Sequence, residues 1–481
     1  MHICIVLIAF LPLFAHLDEV PIQVWDEMRN AQNALEMNKT GNIIVTTIDY
    51  KPEVWNTKPP FMIWVLALSQ RILGYNELAV RLPSAIAGLL TCFLLLHFGK
   101  RRLGSWLPGI IAVVVLVSTR GYVTTHGTRT GDYDAMLTLF TTASVLWFVN
   151  FIEDEKHRWL YASAVMLVLA VLTKGIAGLL VCPAMLGYVL VRRKGSLLFK
   201  SRAFYYSALG FIVVVVGYYL LREFLQPGYW NMVLQNEIFG RYNSPAETHS
   251  GNFWIYFKVL GETEFVPWIW FVIPAALGGF FAKDIRHRHL ALICALVAVS
   301  TLLILSCGQT KLAWYMLPVY PFLALLCGLL FYQVVQFLAH WEAPRNLWSP
   351  NFLPVLFVLV IATGPYLAIV DQSMKGLSAR AEAGINDAGV YLSEVIAGER
   401  AIKGNTLCGD SYPLFWHRAA INEMGIDLGI ARKDTLEPGS RVITWDEDTK
   451  SYIRSNFQAK EIENFRSVSI YYIVEKKLST M

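Results

Sequence analysis

The stretch Tyr205–Leu221, YYSALGFIVVVVGYYLL, contains no charged residue and no alternation of polar and apolar positions. A soluble helix of this size would bury one apolar stripe and present a polar face. A run that is apolar all round instead suits a segment crossing ~30 Å of hydrocarbon as a helix. Ile110–Val117, IIAVVVLV, reads the same way. Composition agrees: of 481 residues, 55% are hydrophobic and only 16% charged, and mean hydropathy is +0.44. Such a chain belongs to the membrane class rather than the soluble globular one.

Continuous apolar runs predict about eleven spans of bilayer length. They lie at 2–17, 80–98, 105–122, 133–152, 159–173, 175–191, 204–222, 264–282, 290–306, 313–338 and 352–370. The first lacks a basic leader region and a small-residue cleavage site, and reads as a retained helix. With the amino terminus cytoplasmic, inside loops carry Lys100-Arg101-Arg102, Lys156 with Arg158, Arg192-Arg193-Lys194, and Lys283 with Arg286 and Arg288. The positive-inside rule supports that parity. It places the loop around Asp26, the segments 121–134 and 222–252, and the carboxyl tail on the extracytoplasmic side. The fold class expected is therefore a polytopic α-helical membrane protein over residues 1–370, followed by a small soluble α/β domain over 371–481. In that tail, strands are expected at 440–445 and 467–474, with helices near 384–397 and 447–456.

The net charge of +5 is modest and is distributed along loops, so no nucleic-acid footprint exists. Seven cysteines lie without CxxC or Cys/His spacing; six, in or beside apolar runs, read as small packing residues, and Cys408 stands alone in the tail.

Chemistry concentrates in the loops assigned outside. Between Asp18 and Ser69, DEMRNAQNALEM (26–37) and FMIWVLALSQRIL (61–73) have amphipathic spacing and read as helices lying in the interface; FWIYFKVLGE (253–262) reads similarly. The pair Asp26-Glu27 opens the first of these. Acidic residues favour helix amino termini, yet carboxylates placed at a bilayer edge also mark chemistry. In Lys58-Pro59-Pro60 the prolines stiffen the chain beside a cation, which suits a lipid phosphate; snorkelling is the ordinary alternative. Arg241 and Lys311 are further cations assigned to the same face. The loop THGTRTGDYD supplies Arg129, Asp132 and Asp134 as candidate substrate-binding residues. A D-x-D pair can hold a divalent ion, although close carboxylates are common in turns.

Taken in order, DEMRNAQNALEM, WNTKPPFMIWVLALSQRILGYNELAVRLPSAIAGLL, RTGDYDAMLTLF, LTKGIAGLL and KLAWYMLPVYPFLALL resemble the bacterial GT-C membrane glycosyltransferases. That group is related to protein O-mannosyltransferases and to the lipid A aminoarabinose transferase. The resemblance covers roughly residues 18–330. It implies a sugar donor linked to polyprenyl phosphate, transfer with inversion on the outer face of a bacterial inner membrane, and no required cofactor or metal. It also implies that Asp26 serves the acceptor, with Glu27 as the second acidic position. Lys58, Arg241 and Tyr315 would contact donor phosphate, with Lys311 a further cation. The expected partners are the lipid-linked sugar, the bilayer and a lipid, glycan or protein acceptor.

The residues support that scheme physically. A carboxylate can remove the proton of an attacking hydroxyl, and fixed cations can stabilise a departing phosphate. A transporter or flippase of lipid-linked sugars is the alternative from another class. It would favour inverted repeats and broken helices around midplane polar sites, whereas the ionisable residues here cluster in outer loops. A family member that only binds polyprenyl phosphate is a third reading.

Overall fold

The computed structural model describes residues 2–22, 26–53, 55–123, 126–239, 251–340, 352–374, 385–409 and 414–477. The chain forms two compact units. One comprises Met1–Ala15, Glu53–Met62 and Ser84–Ser373; the other comprises His16–Pro52, Ile63–Pro83 and Met374–Met481. Residues 16–52 and 63–83 of the early region thus belong to the same unit as the tail from Met374 onward.

The first unit is helical. Among the described residues, seven helices are long and apolar enough to cross a bilayer, or up to eight if one bent pair forms a single span. This departs from the expected count of about eleven spans. The runs at 2–17, 105–122 and 175–191 fold as the helices His2–Phe14, Leu107–Val117 and Cys182–Val191, of 13, 11 and 10 residues. At ~1.5 Å of rise per residue these are shorter than the hydrocarbon core. Turn-forming residues bound two of them: Pro108 sits in the first turn of the Leu107 helix and Pro183 in that of the Cys182 helix. Continuous hydropathy overlooks such breaks. The 253–262 segment is likewise no simple surface helix. Ile255–Glu264 meets Ile269–Phe280 at 111° across a break, where Pro267 cannot donate to a continuing helical ladder.

Packing sorts the helices. Asp134–Asp154 is almost wholly buried, whereas Arg202–Leu225, which includes the run that opened the reading, leaves most of its surface uncovered. The latter is therefore suited to facing lipid. The short Leu107–Val117 helix passes very close to its neighbours because small residues meet there. A Cβ on Gly99 would lie 2.9 Å from the Gly109 backbone, and one on Gly328 would collide with the Pro108 carbonyl. Such contacts let helix backbones approach where the hydrophobic effect cannot drive association. Val117, Val145, Phe151, Tyr188, Cys294 and Phe322 belong to the continuous core that results.

The second unit contains a hairpin of β1 (Thr47–Ile48) and β2 (Lys51–Pro52), and a five-stranded mixed sheet. The sheet comprises β3 (Thr406–Cys408), β4 (Gly429–Ala431), β5 (Arg441–Thr444), β6 (Phe457–Phe465) and β7 (Val468–Lys476). Its order is β4-β3-β5-β7-β6, with β4, β3 and β5 parallel and β7 antiparallel to both β5 and β6. Alternation along each strand assigns two faces. Leu407, Ile443 and Ile470 pack with Tyr391, Leu392 and Ile421 of the helices Ile385–Ile396 and Phe415–Glu423. Cys408, Val442 and Tyr471 pack on the other face with Ile453 and Phe457. Asp446 caps the helix Glu447–Asn456 by accepting from the Thr449 amide at 2.9 Å.

The Asp26–Thr40 helix corrects an expectation. It does not present a polar face to an interface: Glu27, Arg29, Asn30, Gln32, Asn33 and Glu36 are all buried. Many of their hydrogen-bonding groups are met internally. Asn33 donates to the Thr47 carbonyl at 2.7 Å, Glu36 accepts from Gln32 at 2.7 Å and Thr47 at 2.5 Å, and Gln70 donates to the Ala31 carbonyl at 3.1 Å. Polar groups paired in this way can be buried without the desolvation loss that otherwise keeps them outside.

Candidate functional site

Two long helices build the centre of the site in the first unit. Asp134–Asp154 runs to a left-handed turn at Glu155, with φ 56°, and His157–Lys174 returns alongside it. The first residue of one helix and the last of the other thereby meet. Lys174 donates to both carboxylate oxygens of Asp134, each at 2.6 Å, and both side chains are nearly buried. The arrangement suits both helix dipoles, with the anion at an amino terminus and the cation at a carboxyl terminus. The Lys174 ammonium also stands over the Tyr315 ring at 5.1 Å.

These three residues line an open cavity of about 750 Å³. Glu237 and Thr310 add polar groups, while Leu137, Ile176, Leu180 and Ile304 make an apolar wall. One side can therefore hold a charged or polar head, and the other a hydrocarbon chain.

Lys58 joins through Glu237. Their charged atoms lie 3.7 Å apart and both side chains are largely buried. The Lys58 ammonium faces the Tyr133 ring at 5.4 Å, and the Tyr133 hydroxyl accepts from Asn56 at 2.7 Å. Thr57 donates to Glu237 at 3.1 Å, and Tyr229 donates to the Thr57 carbonyl at 2.6 Å. The two residues that precede the lysine are thus pinned to Tyr133, Tyr229 and Glu237, which fixes the backbone from which the Lys58 side chain extends.

Other expected residues are placed elsewhere. Arg129 donates to the carbonyls of Pro12 and Ala15 at 2.9 and 2.5 Å, satisfying the end of the first helix. Asp132 accepts from Thr130 at 2.6 Å and lies 3.0 Å from His126, whose ring stacks on Trp314. Because Asp132 turns to His126 and Asp134 to Lys174, the D-x-D pair divides between two partners rather than converging on one ion. The His126–Asp132 contact supplies a nitrogen and an oxygen donor, two ligands of the kind a divalent metal accepts. Lys311 donates to the carbonyls of Leu305 and Ser306 at 3.0 and 2.6 Å, and burial holds its pKa below the usual lysine range. It therefore closes the end of the Ile285–Cys307 helix instead of lining the cavity. Arg241 lies outside the described residues.

In the second unit, Asp26 begins its helix with a half-exposed carboxylate, 3.5 Å from Arg29. Glu27 is fully buried and held in a two-point ion pair by Arg81, at 2.8 and 3.0 Å. Arg81 also donates to the carbonyls of Leu17, Val20 and Pro21. Glu27 consequently anchors the chain around residue 20, a different position from a solvent-reachable proton acceptor.

Lys174 and Glu237 were not singled out in the sequence. A signal existed for the first: a lone lysine in the apolar run LTKGIAGLL needs a partner. Glu237, in the polar segment LQNEIF, has no comparable mark.

Residues 57–219 match the family description "dolichyl-phosphate-mannose-protein mannosyltransferase". An undecaprenyl phosphate-alpha-4-amino-4-deoxy-L-arabinose arabinosyl transferase of Aeromonas salmonicida is 28% identical over 322 residues, covering 64% of this chain and 56% of that protein. An uncharacterized protein of Aquifex aeolicus is 25% identical over 309 residues, or 63% of this chain and 58% of that one. The chain thus spans little more than half the length of these curated relatives. The crystal structure of ArnT from Cupriavidus metallidurans bound to undecaprenyl phosphate superposes with a TM-score of 0.70 at 18% identity, covering 99% of this chain and 98% of that one. An archaeal oligosaccharyltransferase, AglB from Archaeoglobus fulgidus, gives 0.58 at 14% identity over 87% of this chain and 63% of that one. At such identities these structures demonstrate a common fold.

Proposed function

From a chain related to the GT-C membrane glycosyltransferases of the protein O-mannosyltransferase and aminoarabinose-transferase group, we propose an enzyme that transfers a sugar from a polyprenyl-phosphate donor. The acceptor is a hydroxyl-bearing lipid, glycan or protein on the extracytoplasmic face of a bacterial inner membrane. The carrying observation is the cavity with Lys174, Asp134, Tyr315 and Glu237 on its polar side and aliphatic residues on the other. That division suits a lipid phosphate better than a soluble nucleotide sugar. The name of the ArnT structure, bound to undecaprenyl phosphate, supports the same donor class.

In this reading Asp26 removes the acceptor proton as the hydroxyl attacks the anomeric carbon. The sugar–phosphate bond breaks and its electrons remain on the lipid phosphate, inverting the sugar carbon. Lys58 stabilises that charge, with Arg241 in support and Tyr315 nearby. Preorganised cations act most strongly where water is excluded. Lys174 is held by Asp134 and keeps the polar end of the cavity ordered. Glu27 and Lys311 act as positioning residues. The scheme requires no metal.

The test is transfer by the purified chain in lipid nanodiscs, using defined polyprenyl-phosphate sugars and a cell-envelope extract as acceptor. Wild type should yield a new covalent product detected by mass spectrometry. Asp26→Asn should lower the transfer rate by about 10²–10⁴-fold, the usual weight of a general base, while donor binding persists. Donor movement across the bilayer without any product would replace this reading with a transporter.

A further inference from the structure

The Asp134–Asp154 helix bears the candidate site at its first residue and a separate cavity at its last turn. This second cavity, of about 470 Å³, is bounded by Arg101, Arg102, Glu153, Arg286 and His289. At ~1.5 Å per residue, Glu153 lies roughly 28 Å along the helix from Asp134. That distance is close to the ~30 Å hydrocarbon thickness, so the two cavities belong at opposite membrane edges.

The carboxylates at this end are already well engaged. Glu153 accepts from Tyr188 at 2.7 Å and from Arg192 at 3.1 and 3.2 Å, and lies 3.0 Å from His289. Asp154 pairs with Arg101 and, at 3.0 Å, with Arg102. Asp284 chelates Arg286 through Nη2 at 2.6 Å and Nε at 3.0 Å. Arg102 also donates from Nε to Asn150 at 2.7 Å.

Two nitrogens remain. Arg102 Nη2 and His289 Nε2 are both buried and without a hydrogen-bond partner among the described residues. Both residues line this cavity. A buried guanidinium N–H without an acceptor is unfavourable. The cavity walls themselves carry three guanidinium groups against one carboxylate. An anion with several acceptor oxygens would satisfy Arg102, and would satisfy His289 once that ring is protonated. Guanidinium geometry suits phosphate oxygens.

We propose that this cavity is a phosphate-binding site, filled at the membrane edge by the headgroup of an anionic phospholipid. It is independent of the transfer reaction and leaves the donor cavity untouched. Free phosphate shares the necessary chemistry, and the experiment separates the two sources.

The full chain is purified in detergent and examined by native mass spectrometry with phosphatidylglycerol, phosphatidylcholine or inorganic phosphate. The expected result is retention of phosphatidylglycerol about tenfold above phosphatidylcholine, reduced about tenfold by Arg102→Gln and less by His289→Gln. Arg102→Lys, which keeps the charge but not the fork, should recover part of the retention. Because Arg102 also holds Asn150 and Asp154, His289→Gln decides the matter should Arg102→Gln fail to fold. Saturable protection by inorganic phosphate, lost in the same variants and without lipid preference, would assign the site to free phosphate. Equal retention of both lipids together with no phosphate binding would overturn the proposal and leave a water-filled cavity.

Discussion

Lys174 and Asp134 are forty positions apart in sequence, yet the ammonium reaches both oxygens of the carboxylate at 2.6 Å. Each is the terminal residue of its helix, and neither charge would be tolerated alone at this depth. Removing one partner of a buried pair strands the other and costs about 3–5 kcal/mol. Lys174→Met should therefore lower the thermal midpoint in detergent sharply. Lys174→Met combined with Asp134→Leu should recover much of the loss. An unchanged midpoint in the single variant would mean that water already screens the pair.

Glu237 lies 3.7 Å from Lys58 and competes with any phosphate for that cation. Glu237→Gln removes the competing charge and should tighten polyprenyl-phosphate binding by about three- to tenfold. Lys58→Ala should weaken it by a similar factor or more. Titration of intrinsic tryptophan fluorescence would report both. Identical affinities in all three proteins would separate Lys58 from donor recognition.

Glu27 and Asp26 should behave differently despite being neighbours. Glu27→Gln leaves Arg81 charged and buried, so the loss should appear first as destabilisation of about 3–5 kcal/mol. Activity per folded molecule should change little. For Asp26→Asn the order is reversed, with folding intact and turnover lost. A Glu27→Gln protein of full stability but no turnover would assign the chemistry to Glu27.

His417 supplies a pH dependence. It is fully buried, and neither ring nitrogen has a hydrogen-bond partner among the described residues. Burial, with the Arg81 charge as a smaller contribution, lowers its pKa to about 3. Unfolding exposes an imidazole that titrates near its ordinary value of 6.5. The folded pKa lies below the unfolded one, so the unfolded chain binds the proton more readily. Stability from this group is complete above about pH 6.5 and declines by about 1.4 kcal/mol per unit as pH falls towards 3. Melting measured between pH 7 and 5 should show this slope, and His417→Leu should flatten it.

The legible part of the fold followed from chemistry that repeats along the chain. Uncharged stretches such as 290–306 and 205–221 declare helices because a bilayer leaves the backbone few other ways to pair its polar groups. Hydropathy alone could not reveal that Pro108 and Pro183 start short helices, since their flanks are equally apolar. The Asp26–Thr40 helix was misread for a different reason. Its polar face resembles a solvated one until Thr47, Gln70 and Arg81 are seen against it. Those partners are distant in sequence, and amphipathic spacing does not distinguish water from a buried amide. Lys58 could be singled out because a cation stiffened by two prolines suits a phosphate, and Tyr315 because the segment that holds it, KLAWYMLP, resembles that of the GT-C group. Glu237 could not, because its importance comes only from the lysine that folding brings beside it.

The return of the chain at Glu155 has a consequence for how this hairpin can vary. Each residue added to either helix turns everything beyond it by ~100° about the axis, so one insertion would swing the Lys174 ammonium away from its carboxylate. Aliphatic residues along the two helices can be exchanged for others of similar volume without that penalty. Length, more than composition, is what the hairpin must preserve: it works as a ruler whose two ends have to coincide.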